Sequence, residues 1–105
     1  MDHVTVEIAK DCTSGPWFMV FNWGDGTIDA NTNIGALGYS PGEPDNQMIP
    51  MSVLSGTAPF NTGIAIDVDA LPIPLPENYG CVRLSAPAGG DNDPAEVDAL
   101  EVLLP

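Results

Sequence analysis

Residues 4–23, VTVEIAKDCTSGPWFMVFNW, carry the pattern that decides the fold. In residues 4–9 apolar and more polar side chains alternate, and this period of two predicts a strand with one buried face. Residues 13–16, Thr-Ser-Gly-Pro, are typical of a turn. Residues 17–23 are apolar on both faces, which predicts a central strand or a strand lying under a loop. The stretch therefore predicts two strands joined by a turn.

Further short strands are expected along the rest of the chain. The clearest alternation is in residues 63–71, GIAIDVDAL, and two more strands are predicted at residues 48–54 and 79–86. Residues 34–47 predict a long surface loop, and prolines at every second position in residues 72–76 are typical of an extended connector. Short strands with frequent turns indicate an all-β fold. We expect a two-sheet antiparallel β-sandwich, jelly-roll-like or Ig-like, with about six to eight short strands.

The C-terminal segment has two interpretations. Asp93 and Pro94 before residues 95–104, AEVDALEVLL, resemble a helix start with an N-cap and a first-turn proline. Read as a strand, the same residues need a bulge where the alternation slips. A terminal strand would close the sheet of a β-rich chain, so we expect a strand here.

The composition indicates one folded domain across residues 1–105. Glycine and proline contribute 11 residues each, which favours turns, while 44% of the residues are hydrophobic. A disordered chain would have fewer apolar residues. No leader or membrane-spanning apolar run is visible in the sequence, and we expect the chain to be a domain of a larger precursor.

The sequence is strongly acidic: 15 aspartates and glutamates against two lysines and arginines give a net charge of −13. Lys10 and Arg83 are the only lysine and arginine, so the chain lacks the basic footprint that nucleic-acid binding requires. An anionic membrane surface would repel it. The negative charge predicts a solvated acidic surface, a salty habitat or bound cations, and no nucleic-acid or membrane partner.

Two cysteines, Cys12 and Cys81, lie far apart in the sequence. An even pair fits one disulfide formed in an oxidising compartment, and two buried free thiols are the alternative. The spacing matches no zinc site, which needs closer pairs and more ligands. The disulfide interpretation places the protein outside the cell or on its surface.

Two acidic loops have oxygen-bearing side chains at short, irregular spacing, as calcium loops do. The candidate ligands are Asp25, Asp29, Asn31, Asn33, Asp91, Asn92 and Asp93. The spacing does not match an EF-hand, and Asp-Gly at residues 25–26 is also a strong turn signal. The two interpretations are therefore a plain turn and a loop that binds Ca²⁺.

Aromatic residues raise the question of carbohydrate binding. Trp23 and Tyr39 are the candidate ligand-binding residues, because exposed rings stack on sugars. Tryptophan in a small domain is more often part of the core, which we expect for Trp17 and which is the alternative interpretation for Trp23, at the edge of the loop.

Catalysis has little support in the sequence. His3 is the only histidine, and no serine or cysteine lies in a nucleophile motif. Paired carboxylates of a small hydrolase are an open alternative, but carboxylates abound in so acidic a chain. We expect that the protein is not an enzyme.

Three C-terminal stretches carry a family resemblance: TGIAIDVDAL (residues 62–71), YGCVRLSAP (residues 79–87) and AEVDALEVLLP (residues 95–105). Together they resemble the closing strands of galactose-binding-like or discoidin-like jelly rolls in secreted and cell-surface proteins of bacteria. The resemblance implies a C-terminal strand and a structural Ca²⁺, and it places no ligand residues.

The leading hypothesis is a non-catalytic extracellular or cell-surface module with a structural or adhesive role, stabilised by Ca²⁺. Its partners would be other domains of a parent surface protein. The alternative is a carbohydrate-binding module that uses exposed aromatic rings and loop carboxylates to bind a glycan.

Overall fold

The computed structural model describes residues 3–37, 44–45, 63–71, 78–86 and 100–102. Within these residues the chain forms three strands and one short 3₁₀ helix. In chain order the elements are β1 (Val4–Ala9), β2 (Trp17–Trp23), the 3₁₀ helix (Asn33–Leu37) and β3 (Cys81–Ser85). The strands at both ends of the opening stretch are confirmed, as is a strand within residues 79–86.

β1 lies between β2 and β3 and is antiparallel to both. A neighbour on each side leaves β1 without a free edge. The strand is also buried on both faces except at Glu7, whereas its alternation predicted only one buried face. In the pairing with β2 the register shifts between Val6 and Glu7, so Val20 has no ladder partner there. This irregularity is a β-bulge, which bends and twists the hairpin.

The turn between β1 and β2 is organised by Asp11. Its Oδ1 accepts hydrogen bonds from the backbone N–H groups of Thr13 and Ser14, at 2.8 and 2.9 Å. These bonds, above all the one from Ser14, hold the pKa of Asp11 below its usual value. The backbone N–H of Gly15 also donates to the Asp11 carbonyl at 3.0 Å, and Gly15 has a φ of 65°. Glycine adopts this left-handed conformation without steric cost.

The register gives the sheet two unlike faces, because paired residues point to the same side. One face, called the core face, carries Val4, Val6, Ile8, Phe18, Phe21, Trp23, Val82 and Leu84. The opposite face, called the disulfide face, carries Thr5, Glu7, Ala9, Trp17, Met19, Asn22, Cys81, Arg83 and Ser85. Apolar side chains from the loops cover the core face: Ile28, Ile34, Ile64, Ile66, Val68, Leu71 and Tyr79.

The predicted two-sheet β-sandwich is wrong. The described residues form a single three-stranded antiparallel sheet with one short 3₁₀ helix, and no second sheet packs on it within this part of the chain. The physical reason is that the core face is covered by loop side chains. Ile28, Ile34 and the segment 63–71 supply the apolar contacts that a second sheet would have supplied.

Two further predictions need correction. Residues 63–71 are not a strand, since only Ile66 makes a β-bridge, to Thr32. The predicted surface loop 34–47 begins inside the 3₁₀ helix and includes the buried Asp45. The predicted strand at residues 48–54 and the extended connector at residues 72–76 lie outside the described residues. Of residues 95–104 only 100–102 are described, in neither a strand nor a helix.

Candidate functional site

The oxygen-rich loop after β2 begins with two glycines in backbone conformations that side chains disfavour. Gly24 and Gly26 have φ values of 100° and 119°. A Cβ atom at Gly24 would also lie 3.1 Å from the Cα atom of His3, so His3 would have to shift by a few tenths of an ångström to admit a side chain. Glycine at these positions lets the chain leave the strand end at Trp23 in a sharp turn.

Asp45 closes this turn from a distant part of the sequence. Its Oδ2 accepts a hydrogen bond from the backbone N–H of Gly24 at 2.7 Å, and its Oδ1 accepts one from Gly26 at 2.9 Å. The side chain is fully buried, with 0% exposed. Sequence reasoning missed Asp45, since the only local signal is a Pro-Asp pair in a stretch that resembles a surface loop. A contact between residues about twenty positions apart has no local signature.

Asp29 binds back to the end of β2. Its Oδ2 accepts a hydrogen bond from the backbone N–H of Asn22 at 2.7 Å. Burial raises the pKa of Asp29 most, the bond from Asn22 opposes that rise, and the negative charges of Asp25 and Asp45 raise it further. Asp25 and Asp45 therefore lie close enough to Asp29 for their negative charges to oppose its ionisation.

Asn31 and Asn33 hold the loop against the segment 63–71. The Asn31 Nδ2 group donates to the Val20 carbonyl at 2.9 Å, and the backbone N–H of Asp67 donates to the Asn31 carbonyl at 2.7 Å. The Asn33 Nδ2 group donates to the Gly63 carbonyl at 3.1 Å. We call this set of contacts the amide clamp.

Within the amide clamp, Asn33 takes the place of a strand neighbour. The backbone N–H of Ala65 donates to Asn33 Oδ1 at 2.9 Å, and the backbone N–H of Asn33 donates to the Ala65 carbonyl at 3.1 Å. A carboxamide presents one acceptor and two donors, so it satisfies peptide groups as a neighbouring strand would. Residues 63–71 therefore have backbone hydrogen bonds of the kind that a strand makes, although they do not pair with a strand of the sheet.

An open cleft of about 590 Å³ lies beside the amide clamp. Its walls are residues 30–33 on one side and residues 65–70 on the other. Asp67 and Asp69 are exposed there, and Asp67 Oδ1 accepts a hydrogen bond from the backbone N–H of Asp69 at 3.1 Å. The cleft is therefore acidic and would favour a cationic or hydroxyl-rich ligand over an anion.

The predicted calcium ligands of the first loop divide into two groups. Asp25 and Asp29 lie in the turn with Asp45, while the side chains of Asn31 and Asn33 bind backbone groups in the amide clamp. Within the described residues, no group of three or more histidine, cysteine, aspartate or glutamate side chains has the arrangement of a metal site. The second predicted loop, with Asp91, Asn92 and Asp93, lies outside the described residues.

The predicted sugar-stacking residues are not brought together in the described part of the chain. Trp23 is 1% exposed and fills the core, so its ring has no free face for a sugar. Tyr39 lies outside the described residues. Trp17, expected in the core, lies instead on the disulfide face and is partly exposed.

The disulfide face carries a second group of polar contacts. Cys12 and Cys81 form a disulfide that joins the β1–β2 turn to the start of β3, with Cα atoms 5.5 Å apart. Arg83 Nε and Nη2 donate to the two carboxylate oxygens of Glu7 at 3.2 and 3.0 Å. The guanidinium carbon of Arg83 also lies 4.2 Å from the ring centroid of Trp17. These contacts connect all three strands on this face.

The described residues define a small disulfide-bonded antiparallel β-sheet protein with a polar loop region. They contain no helix long and apolar enough to cross a membrane. Comparisons with protein-family models, with curated proteins and with solved structures found no match.

Proposed function

We propose that this chain is a non-catalytic module of the extracellular space or of a cell surface, with a structural or adhesive role. The proposal rests on the hydrogen-bond partners of the side-chain oxygens in the loops. Asp45, Asp29 and Asn33 each bind backbone groups of the chain itself. A carboxylate that accepts backbone hydrogen bonds holds a loop in shape, whereas a general acid or base must reach a substrate.

The proposed compartment is supported by the disulfide and by the charge. Disulfides form and persist in oxidising environments and are rare where thiols are kept reduced. The bond between Cys12 and Cys81 spans 69 positions, so in the chain-entropy model it stabilises the fold by roughly 4 kcal/mol. A net charge of −13 keeps copies of the domain soluble at high local density.

The compartment is tested by intact mass after alkylation of free thiols. We expect protein made in an oxidising compartment to resist alkylation until reductant is added, after which two thiols react. The matched control is the Cys12→Ser, Cys81→Ser protein, which should show no change. Two reactive thiols in protein isolated from its native host would contradict the extracellular assignment.

The role is tested against the carbohydrate-binding alternative with a glycan array. We expect no glycan to bind, because the described aromatic rings are buried or partly covered. The informative variant is Asp67→Asn with Asp69→Asn, which changes only the cleft. Its control, Asp11→Asn, removes a charge in the β1–β2 turn, outside the cleft. Glycan binding that the cleft variant abolishes and the control retains would replace the structural role with carbohydrate binding.

Stabilisation by Ca²⁺ is the second part of the proposal. It is supported by the negative charges of Asp25 and Asp45 near Asp29, which a bound divalent cation would offset. A cation that binds only the folded state raises the melting temperature by mass action. We expect a higher melting temperature in a few millimolar Ca²⁺ than in chelator or Mg²⁺ at matched ionic strength. Equal melting temperatures would remove the calcium part and leave the structural role in place.

A further inference from the structure

The core face of the sheet is covered over β1 and β2 but not over β3. Val82 and Leu84 point to this face and are 39% and 38% exposed, whereas Val6 and Ile8 beside them are buried. Within the described residues β3 pairs with β1 alone, so its other edge presents unpaired backbone groups there. An open strand edge with apolar side chains is a template for pairing with a further strand.

The same chain has a second uncovered apolar segment. Leu100 and Val102 are 60% and 78% exposed, and Glu101 lies between them. Residues 100–102 are in neither a strand nor a helix, and no ladder partner is found for them in the described part of the chain. Alternating apolar, charged and apolar residues fit a strand that buries one face.

The two segments are complementary in pattern and in charge. β3 presents Val82, Arg83 and Leu84, and the C-terminal segment presents Leu100, Glu101 and Val102. An antiparallel pairing with Glu101 opposite Arg83 places Leu100 beside Leu84 and Val102 beside Val82 on the core face. Glu101 then lies on the disulfide face.

On that face Glu101 would lie beside the guanidinium group of Arg83. Arg83 donates from Nε and Nη2 to Glu7, and within the described part of the chain Nη1 remains able to donate to a second carboxylate. The pairing would extend the row of charges across the sheet from Glu7 through Arg83 to Glu101. Opposite charges directly across a strand pair stabilise it, and like charges destabilise it.

We propose that residues 100–102 of a second copy of this chain pair with the open edge of β3, and that the exchange is reciprocal in a two-fold dimer. Within one chain, residues 100–102 leave their apolar side chains exposed and do not occupy their own β3 edge. In a dimer with a two-fold axis, residues 100–102 of each copy make the same contact with β3 of the other copy, so the dimer has two identical contacts. The same surface patch and the same segment are then used by both copies.

The charge of the chain sets how this dimer depends on salt. Each copy carries a net charge of −13, so the copies repel at long range. The Debye length is about 30 Å at 0.01 M salt and about 8 Å at 0.15 M, so physiological salt removes most of that repulsion. We expect the dimer to strengthen between these two conditions.

Sedimentation equilibrium over a wide concentration range tests the proposal. At 0.15 M salt the average mass is expected to rise with concentration toward two chains. Glu101→Arg alone places like charges across the pair, as does Arg83→Glu alone, and each should weaken association by about tenfold. In an equal mixture of the two variants, each mixed dimer has opposite charges at both contacts: the two substituted side chains face each other at one, and the two wild-type side chains at the other. Association is therefore expected to return.

The controls separate this edge from other surfaces. Met19→Gln removes a comparable exposed apolar side chain on the disulfide face of β2 and should leave association unchanged. Val102→Asp changes a side chain that is 78% exposed, so folding should be retained and association should be lost even if Arg83→Glu fails to fold. Circular dichroism and intact mass establish folding and the disulfide for each variant.

Two results would overturn the proposal. One is a sedimentation-equilibrium mass equal to that of a single chain at every concentration, which would show that no dimer forms. If Val102→Asp also lowers the melting temperature of that monomer, the segment lies on β3 of its own chain. The other is a dimer that none of the edge variants weakens, which would place the interface on a different surface. Neither result depends on the compartment or on a ligand, so each would leave the proposed function unchanged.

Discussion

Two regions of the described part of the chain, called the sheet half and the loop half, are held together by different forces. The sheet half, β1 to β3, is stabilised mainly by apolar side chains buried on the core face, among them Val6, Phe21 and Trp23. The loop half comprises residues 24–33, Asp45 and residues 63–71. There, carboxylates and carboxamides bind backbone groups in the places where strands would bind each other.

This difference predicts different responses to mutation. Burying a large apolar side chain contributes about 1.5–3 kcal/mol, and the contribution is spread over many contacts. A buried hydrogen bond contributes only about 0.5–1.5 kcal/mol net, but leaving its partner unsatisfied costs about 1–3 kcal/mol. The sheet half should therefore respond to lost volume, and the loop half to the loss of single polar atoms.

The largest effect is expected in the sheet half, from Trp23→Ala. Trp23 fills the core where the core face meets the loops, so its loss leaves a large cavity and should cost about 3–5 kcal/mol. Denaturant unfolding followed by circular dichroism measures this. Met19→Ala, in the same strand but largely exposed, should cost less than about 1 kcal/mol. Equal costs for the two variants would contradict the placement of the core.

An intermediate effect is expected when the amide clamp is broken by Asn33→Ala. The substitution leaves the Ala65 N–H and the Gly63 carbonyl without their side-chain partner and should cost about 1–3 kcal/mol. Asn33→Asp keeps the acceptor for Ala65 but places a carboxylate oxygen against the Gly63 carbonyl, so it should not restore stability.

The control for the amide clamp is the same substitution in the sheet half. Asn22→Ala loses one contact, between Asn22 Oδ1 and His3 Nε2 at 3.1 Å, next to a terminus. Denaturant unfolding should therefore show a smaller loss for Asn22→Ala than for Asn33→Ala. The opposite order would show that residues 63–71 are held by their apolar contacts alone.

The sheet half could be predicted from the sequence and the loop half could not. Alternation in residues 4–9 and the apolar run in residues 17–23 are local patterns, and a sheet requires little else to form from them. The disulfide was one of two interpretations of the two cysteines, and the bond between Cys12 and Cys81 confirms it. The alternation in residues 4–9 did not predict that β1 lies in the centre of the sheet.

The loop half escaped prediction because its contacts are distant in sequence. Residues 63–71 have the alternation of a strand, but Asn33, thirty positions away, supplies the hydrogen bonds that a neighbouring strand would supply. The pattern shows which face is apolar and not which group binds the backbone. For the same reason the sequence did not show that the side chains of Asn31 and Asn33 bind backbone groups in the amide clamp, and it placed Asp45 in a surface loop.

The smallest effect is expected from Asp29→Asn, and it is an effect on pH dependence. The carboxamide of this variant keeps an oxygen that can accept the hydrogen bond from the Asn22 N–H, while the charge that Asp25 and Asp45 repel is removed. Because the pKa of Asp29 is raised in the folded state, the folded protein binds this proton more tightly than the unfolded chain. Its contribution to stability therefore falls as the pH rises from 3.8 through the raised pKa, and is constant above it.

The measurement is the difference in unfolding free energy between Asp29→Asn and the wild type as a function of pH. The difference should favour the variant increasingly across that window and reach less than about 1 kcal/mol at pH 7, since solvent screens this half-exposed carboxylate. Asp29→Ala, which also removes the acceptor, should be less stable than Asp29→Asn by about 1–2 kcal/mol at every pH. If the difference instead favours the wild type as the pH rises, a cation bound at Asp29 has reversed the sign, and repeating the titration in chelator would restore it.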